Sequence, residues 1–300
     1  MKKIAILPLL IVICFVGTCR AVAQIYVADY DAGNGTVKTA LSNGTVTTYS
    51  ATFTGRVNGI AFGPDSYLYA ANTDLNSILK IASNGSVSTF VSGGLLSNPS
   101  GAVFDELGNL YIANYAFPSG ASVIKITSAG VMTTYSNSSI GSGGGGLVMD
   151  TAGTLYASSN ATGEVYKIAT NGDVSVFATG FQYPTGLAFS PTSDLYVANQ
   201  GAGGTIPSIS LVSPSGAVSL FVDIGLTGFV NGLTTDSQGN IYATDGQTIK
   251  KITPDRIVFT YASGLNSPTG LATVPEPSTY ALLGIGAIGL LMVLREKKTA

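Results

Sequence analysis

Histidine and tryptophan are absent from this 300-residue chain, and charged residues make up only 10% of it. Without histidine, the chain has no His-assisted nucleophile, no His metal ligand and no His-based pH switch. Cysteine occurs twice, at Cys14 and Cys19. Both lie in the first stretch of the chain, so a product that has lost this stretch has no disulfide to hold it together. Between Gln24 and Val274 there are eight Lys/Arg against fourteen Asp/Glu, a net of about −6, with no basic run. That balance speaks against nucleic acid as a partner. In place of charge the chain has 38 glycines together with many Ser, Thr and Asn, the composition of tight turns between short strands.

Long apolar runs occur only at the two ends. Lys2 and Lys3 precede the apolar stretch Ile4 to Val16, and Ala21-Val22-Ala23 offers an A-x-A cleavage site. Residues 1–23 therefore read as a secretory signal peptide, cut by signal peptidase after Ala23. The apolar run is well short of the ~20 residues of a retained span, and Val16-Gly17-Thr18 before Cys19 is a poor lipobox.

Between the ends the chain repeats itself. IYVAD, LYAAN, LYIAN, LYASS, LYVAN and IYATD carry tyrosines at positions 26, 69, 111, 156, 196 and 242, spaced 43, 42, 45, 40 and 46 residues apart. A period in the forties fits one four-stranded propeller blade. A glycine stands ten residues before the tyrosine at Gly59, Gly101, Gly146, Gly186 and Gly232, opening a short apolar strand. A third strand follows the tyrosine strand, and an Asn-Gly or Ser-Gly pair, able to take φ > 0 at both positions, turns the chain into a fourth. The fourth strand ends on Tyr49, Phe90, Tyr135, Phe177, Phe221 or Tyr261; these aromatics and the six tyrosines are expected to pack between blades. The repeat region opens in a second strand at Ile25 and closes with a lone first strand, Ser267 to Thr273. Pairing these fragments gives an all-β, six-bladed propeller over residues 24–273 with no open sheet edge and a large enough interior to need no staple.

The recurring PxGLAFDxxGNLYVAN pattern resembles that of NHL-repeat and gluconolactonase-like (SMP-30-like) propellers, and covers Ile25 to Thr273. In the gluconolactonase-like enzymes, acidic and Asn side chains just before the repeated glycine hold a divalent metal in the central funnel. The matching positions here are Asn58, Ser100, Gly145, Thr185, Asn231 and Thr269, none of them acidic. A hard dication needs several oxygen ligands, carboxylates among them, so no metal or other cofactor and no catalytic residue is assigned. Asn58, Ser100, Thr185, Asn231 and Thr269 are instead expected to form a polar ring for a small ligand such as a sugar. Glu106 and Glu164 fall away from these positions, and the virginiamycin-hydrolysing type of lyase calls on a histidine this chain lacks. The glycine run Gly141 to Gly146 reads as the loop into the fourth blade, since no helix or Lys-Ser/Thr pair follows it. Asp29, Asn72, Asn114, Asn199 and Asp245 read as turn caps, and Lys80, Lys125, Lys167 and Lys251 as solvent-facing.

The C-terminus resembles the PEP-CTERM sorting signal of exopolysaccharide-producing Gram-negative bacteria. It has Pro275-Glu276-Pro277, then the apolar stretch Tyr280 to Leu294, then Arg295-Glu296-Lys297-Lys298. Fifteen residues make a helix of roughly 22 Å, short for a ~30 Å hydrocarbon core, with the basic tip on the cytoplasmic side. The prolines keep the motif extended. The resemblance implies transient anchoring of residues 274–300 in the inner membrane, recognition by an exosortase, and delivery to the cell surface or extracellular matrix. The expected function is that of an exported binding or structural protein with a polysaccharide or protein ligand; the alternative is a lactonase-like hydrolase with an unrecognised metal site.

Overall fold

A computed structural model describes residues 24–116, 120–201, 206–223 and 229–273. The leader 1–23 and the tail 274–300, with its motif and apolar stretch, lie outside the described residues. Among those described, no helix is long and apolar enough to cross a membrane.

The strands form six antiparallel sheets, and together they make the expected six-bladed ring. Five sheets take their four strands in chain order: Val57–Phe62 to Val87–Ser92, Pro99–Phe104 to Met132–Thr134, Leu147–Met149 to Val174–Thr179, Pro184–Phe189 to Val218–Asp223, and Leu233–Thr235 to Val258–Ser263. These are blades 2 to 6. Blade 1 is made from both ends of the repeat region. Its inner strand Pro268–Thr273 pairs with Ile25–Asp31, in register Ile25 to Thr273, Tyr26 to Ala272 and Val27 to Leu271, and Asn34–Ala40 and Val46–Thr48 continue the sheet. The seam has further bonds. Asp29 accepts the backbone N–H groups of Asn266 and Ser267, each at 2.9 Å, and forms an ion pair with Lys38.

Burial follows the strand's place in the blade. The second strands Leu68–Asn72, Leu155–Ser159, Leu195–Asn199 and Ile241–Asp245 are buried at every residue, because neighbouring blades cover both of their faces. The outer strands are mostly exposed. The apolar side chains gather between blades. One cluster joins Tyr196, Ile209 and Phe221 of blade 5 to Leu233, Ile241 and Ile252 of blade 6; another joins Tyr242 and Tyr261 of blade 6 to Ile25, Val27 and Leu271 of blade 1. Each of the six clusters spans two adjacent blades. A blade by itself has no core, so burial of apolar surface, the main driving force of folding, rewards only the assembled ring.

The repeat motif can now be read position by position. The tyrosines are wedged between blades: Tyr69 meets Phe90 of its own blade edge-on at 5.2 Å and Phe104 of the next at 4.9 Å. The hydroxyls of Tyr69, Tyr111, Tyr156 and Tyr242 bond to the Asp of the preceding turn, as Tyr111 to Asp105 at 3.2 Å and Tyr242 to Asp236 at 3.1 Å. Asp105 also accepts the N–H groups of Leu107 and Asn109, which closes the turn.

Three expectations need correction. In the Asn-Gly turns only the glycine takes φ > 0: Gly85 (φ 81°) donates to Ala82 O and Ala82 N donates to Ser86 O, a type I turn followed by a left-handed glycine. Asn84 contributes its side chain, accepting from Ser86 N. The repeated lysines are not simply solvent-facing. Lys125 and Lys251 sit over the rings of Tyr111 and Tyr242, at 5.6 and 5.5 Å, because each stands directly opposite that tyrosine across the strand pair. The side chains of Asn114 and Asp29 hold the segment arriving from the preceding blade, Asn114 through Ser97 N and Leu95 O, rather than a turn of their own.

Candidate functional site

The inner strands surround a central funnel of about 440 Å³. Asn58, Ser100, Gly145, Thr185, Asn231 and Thr269 all line it, as expected, and Arg56, Asn160, Gln200 and Ser267 join them. A backbone irregularity directs the expected residues inward. In blade 2, Val57 pairs with Asn72 and Gly59 with Ala71, leaving Asn58 as an extra residue in a β-bulge. Blades 1, 3 and 5 slip at the equivalent place. Such bulges re-aim side chains.

The glycine after each of these positions is fixed by close approach of the neighbouring blade. A Cβ on Gly59 would lie 2.0 Å from Ser100 O, and one on Gly232 would lie 2.1 Å from Thr269 O. The contact recurs around the ring to Gly270, which abuts Asn58 O. The spacing alone marked these glycines as strand openings; their role as points of backbone contact between blades depends on the ring.

The six positions divide by blade. In the odd blades the hydroxyl bonds to a carbonyl of the next blade: Thr269 Oγ1 to Val57 O, Ser100 Oγ to Gly145 O at 3.1 Å, and Thr185 Oγ1 to Val230 O at 2.6 Å. Thr73, one residue beyond the second strand of blade 2, and Ser158, on the second strand of blade 4, donate likewise to Pro99 O and Thr185 O, at 2.7 and 2.5 Å. Ser100, Thr185 and Thr269 are buried, with their protons committed to these bonds. The even blades leave their side chains open. Asn58 is half-buried, and Asn231 accepts from Gln200 Nε2 while Thr244 Oγ1 fixes its backbone N–H at 2.9 Å. In blade 4 the position is Gly145, so the wall there is bare backbone, with Tyr115 packed beneath Gly144. Burial raises the Tyr115 phenol well above its usual pKa, and a hydrogen bond with Ser100 opposes that shift.

Among the described residues that line the funnel Arg56 is the single charged side chain, and its guanidinium lies 3.3 Å from Asp74 Oδ1. No carboxylate faces the funnel, and no three His, Cys, Asp or Glu come together among the described residues. This donor set does not fit a hard dication. Glu106 lies in an exposed turn and Glu164 begins a third strand, bonded to the Tyr166 hydroxyl. Arg56 stands three residues before the repeated glycine, and Asn160 and Gln200 each stand one residue beyond the second strand. Extending the repeat by those offsets would have found all three.

Fold and site together define a six-bladed β-propeller whose funnel is lined by amides, hydroxyls and one arginine among the described residues. The chain belongs to the family described as a repeat of unknown function (DUF6923), which matches residues 23–222. The PEP-CTERM protein-sorting motif matches residues 273–298. No curated protein matches the sequence. Among solved structures, the fold is similar to virginiamycin B lyase from Staphylococcus aureus (17% identity, 83% of this chain and 88% of that one, TM-score 0.60). It is also similar to a gluconolactonase from Xanthomonas campestris (14%, 84% and 91%, TM-score 0.63) and to a protein of unknown function from Bacteroides caccae (13%, 85% and 100%, TM-score 0.66). The sorting motif marks an exported protein processed by an exosortase, and the likeness to these structures lies in the fold.

Proposed function

We propose that the protein is a surface or extracellular-matrix binding protein: a propeller delivered by the leader 1–23, held briefly by the tail 274–300, and released for use by exosortase recognition of Pro275-Glu276-Pro277. The ligand is a saccharide or similarly hydroxylated molecule in the funnel. Asn58 and Asn231 contact it, and Ser100, Thr185 and Thr269 keep the wall in shape. The observation that carries this reading is a funnel of about 440 Å³ lined, among the described residues, by amides, hydroxyls and Arg56 with no carboxylate, a size and polarity suited to a small polar ligand. Tyr183 and Phe229, exposed at the positions equivalent to Arg56, add aromatic surface for sugar rings where the inner strands begin.

Two experiments test it. Replacing Pro275-Glu276-Pro277 by alanines should leave the protein untrimmed in the membrane fraction; unchanged trimming and surface delivery would remove the sorting half. The Asn58→Ala, Asn231→Ala double variant should lose retention on the cell's own surface polysaccharide at unchanged melting temperature; full retention would remove the funnel half. A lactonase-like hydrolase is the second reading, supported by the fold shared with the Xanthomonas campestris gluconolactonase. Stoichiometric bound metal, with lactone turnover abolished in the same double variant, would place it first.

A further inference from the structure

Hydrogen-bond donors and acceptors on the funnel wall are unevenly used. The carbonyls of Val57, Gly145, Thr185 and Val230 each already accept a hydroxyl proton from a Ser or Thr side chain. Thr185 O also accepts Gly146 N at 2.7 Å, and Asn231 Oδ1 accepts from Gln200. The donors are left over. Among the described residues, the N–H groups of Gly143, Gly144 and Gly145 donate to no acceptor of the protein, although Gly144 and Gly145 are half-buried and line the funnel. Gly143 is in the left-handed region (φ 76°), and successive N–H groups around such a residue form a concavity that favours negative charge. Arg56 adds a guanidinium to the same cavity, part of its charge answered by Asp74.

Resting on the funnel as the ligand site, we infer that its ligand is anionic: a carboxylate-bearing sugar whose carboxylate lies against the N–H groups of Gly144 and Gly145, in the cavity that Arg56 also lines. A monoanion matches one partly neutralised cation and a set of neutral donors, whereas a phosphate dianion would find too little positive charge. The amides of Asn58 and Asn160, each with a donor and an acceptor, and the amide N–H groups of Asn231, whose Oδ1 accepts from Gln200, then take the sugar hydroxyls. The bare backbone has a reason in this arrangement. Glycine at position 145, where a Cβ would meet Ser158 Oγ at 2.1 Å, leaves the backbone there uncovered for the carboxylate.

The test is a calorimetric titration of the full chain in detergent with glucuronate, glucuronate methyl ester, glucose and inorganic phosphate. Glucuronate should bind at least tenfold tighter than each of the other three. Asn58→Asp, which places a carboxylate in the funnel, should abolish that preference, and the exposed Arg56→Gln should weaken glucuronate severalfold. Lys125→Gln, away from the funnel, should change nothing. Equal binding of glucuronate, its ester and glucose would overturn the carboxylate inference and leave a neutral-sugar funnel standing. Tightest binding of phosphate would overturn the sugar acid in favour of a phosphorylated ligand. Binding of none of the four, in a protein that still retains cell-surface polysaccharide, would overturn both the inference and the funnel as the binding site.

Discussion

Where Tyr69 meets Phe104, blades 2 and 3 touch through aromatic rings 4.9 Å apart; where Gly59 meets Ser100, the same blades touch backbone to backbone. The first contact belongs to an aromatic belt at the far end of the inner strands, and the second to the funnel wall. The belt holds blades together with large side chains, an Asp–Tyr hydrogen bond and a lysine over the ring. It repeats with substitutions: the residue facing the tyrosine from the next blade is Phe62, Phe104 or Phe189 in three places and Met149 in blade 4. The wall joins the blades with glycine contacts and single hydroxyl-to-carbonyl bonds, and so leaves the centre open. The difference teaches that apolar bulk can join blades only where no cavity is needed. Where a cavity is needed, the join has to be made by small groups that satisfy the backbone.

The comparison can be broken most decisively by alkali. Burial raises the pKa of the belt tyrosines, Tyr261 up to about 12 and Tyr69, Tyr156 and Tyr196 in the same direction. The folded ring therefore keeps protons that an unfolded chain loses near pH 10. That stability is fully present below about pH 10 and is lost as pH rises from there through the folded values, so the denaturation midpoint should fall steeply between about pH 10 and about 12. A flat midpoint across that range would mean the belt does not hold its tyrosines neutral. Next in size, Tyr242→Ala removes a side chain with 2% exposure that packs against Tyr261, and should cost about 4 kcal/mol in urea unfolding. Gly232→Ala drives a methyl into Thr269 O and should cost about 3 kcal/mol. A cost under ~0.5 kcal/mol would show that the wall can spread, and the idea of a rigid backbone seam would go. Thr185→Val keeps the shape but leaves Val230 O without its hydroxyl partner, for about 1–2 kcal/mol. Smallest should be Lys125→Met, which loses only the cation over Tyr111, about 0.5 kcal/mol.

The tyrosines of the belt were legible in the sequence because they recur once per repeat, with an Asp six residues before three of them; the lysines follow at unequal offsets, and their place over the rings depends on strand register. Recurrence at a fixed offset is the signature of a structural contact made once per blade. The funnel was legible in outline only. Its six inward positions were those implied by the resemblance to gluconolactonase-like propellers, carried over onto the residue before each repeated glycine, and all six line the cavity. That Ser100, Thr185 and Thr269 are already committed to carbonyls of the next blade, while Asn58 is not, has no sequence signal. The partner lies some 45 residues away across a blade boundary, and which lone pair faces which hydroxyl depends on the bulge.

The chain by itself determined the period, the blade count and the seam between Ile25–Asp31 and Pro268–Thr273, because strand alternation and turn chemistry are local and the two incomplete blade fragments have only each other to pair with. Tertiary structure alone decided which polar groups of the funnel are used up and which remain. Hydrogen bonds between blades are settled only when six separately formed sheets are brought to within a backbone's width of one another.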